Sequence, residues 1–141
     1  MATDSEELGR AVKRLQYRNH RALDTALSRA GTTLAQWDAL RAIDRRPGSS
    51  AHWLAGETFQ SDQAFGTLAT RLETRGLIER RAGAGRILAH HLTEAGEAML
   101  LAGRAVAGDV ITGAFANLSA TERATLLQLL TKTTDDRGDL G

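Results

Sequence analysis
The chain of 141 residues has no cysteine, one proline and few aromatic side chains. Without cysteine there are no disulfides, thiolate zinc sites, cysteine nucleophiles or thiol redox sensors. The single proline, Pro47, leaves most of the chain free to form helices. Lysine is almost missing too: sixteen of the eighteen basic residues are arginine, and only Lys13 and Lys132 are lysine. Arginine's planar fork suits phosphates and guanine edges, whereas lysine serves as a point charge. No apolar run approaches the roughly 20 residues of a membrane span. The acidic opening Asp4-Ser5-Glu6-Glu7 does not resemble a signal peptide, so a cytoplasmic location is expected. There is no P-loop, no nucleophile elbow and no compact acid–base pair. Neither an enzyme nor a cofactor is therefore expected. The net charge of +1 argues nothing by itself about nucleic acid.

What is present is concentrated between Ser61 and Leu92. Phe65, Leu68, Ala69 and Leu72 fall at i, i+3, i+4 and i+7, one apolar stripe along a helix. The opposite face carries Gln63, Gly66, Thr67, Thr70, Arg71 and Thr74. Such short polar side chains let a helix approach a DNA major groove closely and still offer hydrogen bonds. Gly76 fits as the helix terminator. Leu77 to Arg81 and Arg86 to Leu92 read as strands, and Ala82-Gly83-Ala84-Gly85 supplies the positive φ angles of a hairpin tip. Arg71, Arg75, Arg80, Arg81 and Arg86 fall within sixteen residues, opposed by Glu73 and Glu79.

The flanking chain is helical throughout. A first helix runs from about Ser5 to Ala30, with Thr3 or Asp4 as cap and a buried seam of Leu8, Val12, Leu15, Asn19, Leu23 and Leu27. Thr33-Leu34-Ala35-Gln36 reads as a capping box for a second helix that buries Trp37, Leu40 and Ile43. Ser49 or Ser50 caps a short third helix with Ala51, Leu54, Ala55 and Phe59 inward. The brief turn Phe59-Gln60-Ser61 makes a helix-turn-helix corner the economical arrangement. Thr93 starts a fifth helix rich in small residues: Ala98, Ala102, Gly103, Ala105, Ala107 and Gly108. These suggest close helix contacts. Ser119-Ala120-Thr121-Glu122 caps a sixth helix loaded with Leu126, Leu127, Leu129 and Leu130, and the tail Asp135 to Gly141 is polar and expected to fray.

The expectation is one mainly α domain over 1–141 with a small two-stranded β-wing. A winged helix-turn-helix lobe occupies about 33–92, flanked by dimerisation helices at about 5–30 and 94–134. Those outer helices keep apolar faces with little to cover in one chain. Burying an exposed leucine is worth roughly 1.5–3 kcal/mol, so a homodimer is predicted.

This order resembles the MarR family of winged helix-turn-helix regulators. The segments carrying the likeness are Thr33 to Leu40, Leu68 to Arg81, Leu92 to Gly96 and Leu118 to Leu130. The resemblance implies a cytoplasmic homodimeric repressor on a pseudo-palindromic double-stranded operator, released by a small lipophilic or phenolic effector. It places the fourth helix in the major groove, about one duplex turn, roughly 34 Å, from its twin. Family wings carry an Asp-x-Arg element; here Ala84 takes the aspartate position and Arg86 the arginine.

The DNA-contacting set expected from this reading is Ser61, Asp62, Gln63, Gly66, Thr67, Thr70, Arg71, Arg75, Arg80, Arg81 and Arg86. Gln63 and Thr67 are the foremost base readers, and the arginines position the protein on the phosphates. Asp62 either complements the helix dipole or accepts from a cytosine amino group. Asn19, His20, Trp37 and Arg41 are candidates for an effector pocket. The favoured alternatives are a satisfied interface or core amide for Asn19 and core for Trp37, while Arg41 could equally be the partner of a nearby acid. His90 and His91 point to opposite faces of a strand, which argues against a shared metal; a polar contact near DNA is the alternative. The competing functional class is a winged-helix protein-interaction module, which binding to duplex DNA as a function of salt would separate.

Overall fold
The computed structural model describes residues 3–135. Apart from Asp135, the polar tail lies outside the described residues. Six helices and one hairpin follow in the order α1 (Asp4–Ser28), α2 (Leu34–Arg45), α3 (Ala51–Glu57), α4 (Asp62–Thr74), β1 (Ile78–Ala82), β2 (Leu88–Leu92), α5 (Glu94–Ala114) and α6 (Ala120–Thr134). Each helix begins at the hydroxyl that its sequence offers. Thr3 and Ser119 form reciprocal capping boxes with Glu6 and Glu122. Thr33, Ser50, Ser61 and Thr93 accept from the backbone N–H three residues on. The box expected at Thr33 is only half formed, because the Gln36 side chain is drawn elsewhere: its Oε1 accepts from Arg75.

Three helices end in the same backbone device, the first of them α1 at left-handed Gly31, where Gly31 N–H donates to Ser28 O and Thr32 N–H to Leu27 O. After α4, Gly76 takes φ +74°, with Gly76 N–H donating to Glu73 O and Leu77 N–H to Leu72 O. After α3, Phe59 N–H donates to Gly56 O and Gln60 N–H to Ala55 O. This Schellman pattern requires a left-handed residue, and here that residue is Phe59 at φ +57°. The left-handed turn throws its ring outward. Phe59 is 96% exposed, which corrects the inward placement read from helical spacing.

The core joins both ends of the chain. Leu40, Ile43, Leu54, Phe65, Leu72 and Ile78 are fully buried in the helix-turn-helix lobe, and Leu27 from α1 and Leu100 from α5 enter the same cluster. The outer helices are thus partly rooted in the lobe rather than lying beyond it. Two glycines allow this. A methyl group at Gly96 would overlap the Leu77 carbonyl, and one at Gly103 would overlap the Trp37 indole. Trp37 Nε1–H donates to Leu100 O at 3.2 Å, which satisfies the indole inside the core. Of the small residues named in the fifth helix, Gly103 and Ala107 face this contact, whereas Ala98, Ala102, Ala105 and Gly108 are exposed.

Beyond the lobe the apolar faces are open. Leu8 and Val12 of the first-helix seam are exposed, as are Leu101, Ile111, Leu127, Leu129 and Leu130. No residue of α6 is buried. Among the described residues no helix is long and apolar enough to cross a membrane.

Overpacking at a fixed backbone contact costs about 1–3 kcal/mol. Gly96→Ala is accordingly expected to lower the urea midpoint by that equivalent, measured by circular dichroism. Gly108→Ala, where nothing lies within 4 Å of the added methyl, should not lower it.

Candidate nucleic-acid interface and its neighbouring cleft
The stripe of Phe65, Leu68, Ala69 and Leu72 is buried, so the opposite face of α4 is turned to solvent by packing alone. Asp62, Gln63, Thr67, Thr70 and Arg71 are exposed there, and Gly66 is half-buried. Ser61 Oγ is committed to the Ala64 N–H at 3.1 Å and serves first as the helix cap. The threonine hydroxyls are also oriented: Thr67 donates to Gln63 O and Thr70 to Gly66 O. With its proton spent on the preceding turn, the Thr67 hydroxyl offers an acceptor lone pair beside its methyl group, whereas Thr70 Oγ1 also accepts from Arg80 at 3.4 Å. Those groups suit a cytosine or adenine amino group and a thymine methyl.

Asp62 does not stand alone. Its carboxylate lies 3.0 Å from Nδ1 of His52, which reaches over from α3. Both side chains are well exposed, so the pair orients the carboxylate more than it stabilises the fold.

The basic residues divide into two kinds. Arg80 donates to Glu73 at 2.8 Å, and its backbone N–H donates to the same carboxylate. These bonds hold the Glu73 carboxyl below its usual range. Arg81 donates to Glu79 on its own strand at 2.7 Å. Arg75 turns away from the α4 surface and donates to Gln36 Oε1 and Gly31 O. Arg71 and Arg86 have no carboxylate partner among the described residues. The five arginines grouped by sequence are therefore not one equivalent set.

The hairpin pairs Ile78 with Leu92 through Ala82 with Leu88, antiparallel. The first strand is shifted by one residue from the expected Leu77 to Arg81, and the second starts at Leu88 instead of Arg86, so Arg86 sits in the tip and not in a strand. Gly83 N–H donates to Ile87 O and closes that tip, and only Gly85 among its residues needs a positive φ.

His90 corrects the reading that placed it near DNA. It is 1% exposed, packed edge-on to Phe65 with ring centroids 5.9 Å apart. Its Nδ1–H donates to Ser49 O at 2.9 Å, while Nε2 is buried without a partner. Backbone bonds from His90 N–H to Ser49 O and from Gly48 N–H to His90 O stitch the α2–α3 loop to the wing. Burial, reinforced by the nearby Arg80 charge, pushes the imidazole pKa down against the opposing pull of the Ser49 bond and Glu73. The neutral ring is structural. Among the described residues no three His, Asp or Glu side chains gather as a metal site.

The residues named for an effector pocket do not form one cavity. Trp37 and Arg41 line a cleft of about 390 Å³ with Arg45, Arg104, Gly108 and Ile111. Asn19 lines a separate hollow of about 40 Å³ with Leu23 and Phe115, and His20 borders neither. Trp37 is both core and wall. The Arg41 guanidinium lies 4.5 Å from its ring centroid and pairs with Asp38 at 3.2 Å. Burial pushes the Asp38 carboxyl above its usual range despite Arg41 and Arg45. Arg104 pairs with Asp44 at 3.4 Å on the far side.

Residues 30–87, which span α2 to the wing, match the model of the MarR family. The chain is also 31% identical to the HTH-type transcriptional repressor Rv2887 of Mycobacterium tuberculosis over 81% of its own length and 84% of the relative's. The chain belongs to the MarR family. A probable transcriptional regulator from Pseudomonas aeruginosa superposes with a TM-score of 0.82 at 30% identity, covering 92% of this chain and 98% of that one. A MarR variant from E. coli complexed with operator DNA gives 0.85 at 27% identity over 91% and 94%. Rv2887 in complex with salicylic acid gives 0.72 at 30% identity over 89% and 95%.

Ala84 stands where the family resemblance implies an acid, and among the described residues Arg86 has no carboxylate partner. Sequence reasoning missed His52, Arg45 and Arg104. His52 and Asp62 are ten residues apart on different helices, and Arg104 reaches Asp44 across sixty residues, so no periodicity could pair them.

His90 binds a proton less readily in the fold than in the unfolded chain. Stability is full above its ordinary pKa of 6.5 and falls as pH drops through that value towards the depressed folded one. His90→Gln is expected to flatten the fall in urea midpoint between about pH 7 and 5. An unchanged slope would assign that titration to another group.

Proposed function
We propose that this protein is a homodimeric transcriptional repressor that binds a pseudo-palindromic double-stranded operator, with α4 in the major groove and the wing on the adjacent minor groove or backbone. The observation that carries the reading is the outer face of α4. It is short, polar and unobstructed, begins at a capped N-terminus, and is flanked by the arginine-bearing wing. The likeness to a MarR protein complexed with operator DNA supports the same orientation. Gln63 and Thr67 read base edges, Asp62 presents an acceptor steadied by His52, and Arg71 and Arg86 contact phosphates or the minor groove. Arg80 and Arg81 exchange or share their carboxylate partners on contact. Association proceeds through the uncovered apolar faces of α1, α5 and α6, so the chain acts as one unit with a DNA lobe and a dimerisation half. The protein works in the cytoplasm as a regulator and not as an enzyme, in keeping with a family of transcriptional regulators.

The cleft beside Trp37 is the effector site in this reading. Its guanidiniums, Arg41, Arg45 and Arg104, face an indole wall, a combination suited to a planar aromatic carboxylate. Rv2887 in complex with salicylic acid supports that ligand class.

Two measurements test these assignments. Selection from random duplex DNA should return a palindrome whose affinity falls at least roughly a hundred-fold between about 50 and 200 mM salt. Gln63→Ala should change the preference at one step of each half-site. Flat or absent binding would favour a protein-interaction module. Salicylate should release the bound duplex, and Arg104→Gln should raise the concentration required by roughly ten-fold. An unshifted titration would move the ligand elsewhere.

A further inference from the structure
Arg75 is the one arginine of the α4–wing cluster whose guanidinium reaches outside that unit. It is the C-cap that follows Thr74 at the end of α4, and the Schellman turn at Gly76 fixes its backbone. From there its side chain crosses to the corner between α1 and α2. Nη2–H donates to Gly31 O at 2.8 Å and Nη1–H to Gln36 Oε1 at 2.5 Å. Gln36 Oε1 also receives the hydroxyl of buried Thr32 at 3.4 Å. Gly31 is itself left-handed at φ +86°, so the carbonyl that Arg75 grips belongs to the turn where the chain leaves α1. Among the described residues no backbone hydrogen bond joins α4 to that corner, and no other side-chain bond does so.

We infer that Arg75 is a positioning residue: a two-bond strut that sets the angle of the recognition helix against the end of the dimerisation helix, and not a phosphate contact. The inference rests on the reading that α4 enters the groove of a dimer's operator. In a dimer each recognition helix has one strut, and together they define the distance between the two half-sites. The guanidinium's planar fork spans two acceptors on different elements, which a lysine ammonium on its flexible stem cannot reproduce with the same rigidity. Gln36 supplies the complementary acceptor at the cost of completing its own capping box.

The experiment uses the full-length protein on the duplex that the wild type selects. Affinity is measured against salt, and on versions with one base pair added or removed at the dyad. Wild-type retention on the selected duplex tests the underlying DNA reading independently of any variant. Arg75→Met and Gln36→Leu should each weaken binding by roughly ten-fold at the native spacing, and the double variant should add little to either. All three should keep the wild-type salt slope while the preference for native spacing over the altered duplexes narrows. Arg75→Lys should restore affinity only in part. A fall in slope of about 2 for Arg75→Met, one phosphate per subunit, would overturn the inference. So would an unchanged spacing preference in a variant whose melting midpoint shows it folded.

Discussion
The depth at which α5 meets the DNA lobe governs the rest of the molecule. Gly96 lies against the Leu77 backbone and Gly103 against the Trp37 ring, with no space for a methyl at either point. The Trp37 indole fills the contact and hands its N–H to Leu100 O. Because protein interiors are close-packed, this seam cannot slide by a fraction of an ångström without opening a void or a clash. It therefore defines how the helices that continue away from the lobe are aimed. The Trp37 side chain also forms a wall of the arginine-lined cleft, so a ligand there would press on the same joint.

A second set of connections runs beneath the recognition helix. Phe65 of α4 packs on His90 of the wing, and His90 bonds to Ser49 in the loop that precedes α3. A single neutral imidazole thus ties three segments whose relative placement defines the candidate DNA-contacting surface. One nitrogen is satisfied and the other is buried without a partner, an arrangement that tolerates the neutral ring and resists its protonation. Glu73 and Arg80 close the joint from outside by linking α4 to β1. The lobe is held by short polar links around an aliphatic core, in keeping with a chain that has few aromatic residues.

Much of this architecture was legible in the residues. Caps at Thr3, Thr33, Ser50, Thr93 and Ser119, the stripe from Phe65 to Leu72 and the stop at Gly76 all follow from local rules, and the structure agrees with them. Local rules failed where a long-range partner or a backbone motif intervened. Spacing turned Phe59 inward, but the Schellman hydrogen bonds of α3 place that position in the left-handed region and turn it out. Alternation put one histidine on each face of β2 without revealing that the inner face at His90 is covered by Phe65 and the Ser49 loop. The arginine cluster looked uniform because sequence proximity says nothing about which carboxylate or carbonyl each guanidinium reaches. The pocket residues were chosen for chemistry alone, and geometry separates Asn19 and His20 from Trp37 and Arg41.

The uncovered α6 carries a consequence of another kind. It is a 15-residue helix with no residue buried within the protomer, and helices of that length are marginal in water on their own. In the proposed homodimer its order would come from the partner that covers its leucines, so folding of this segment and association would form one equilibrium. Dilution would then act as a local denaturant. The lifetime of this end of the chain against proteases would become a function of how many copies the cell holds, and scarcity itself would become a route to turnover.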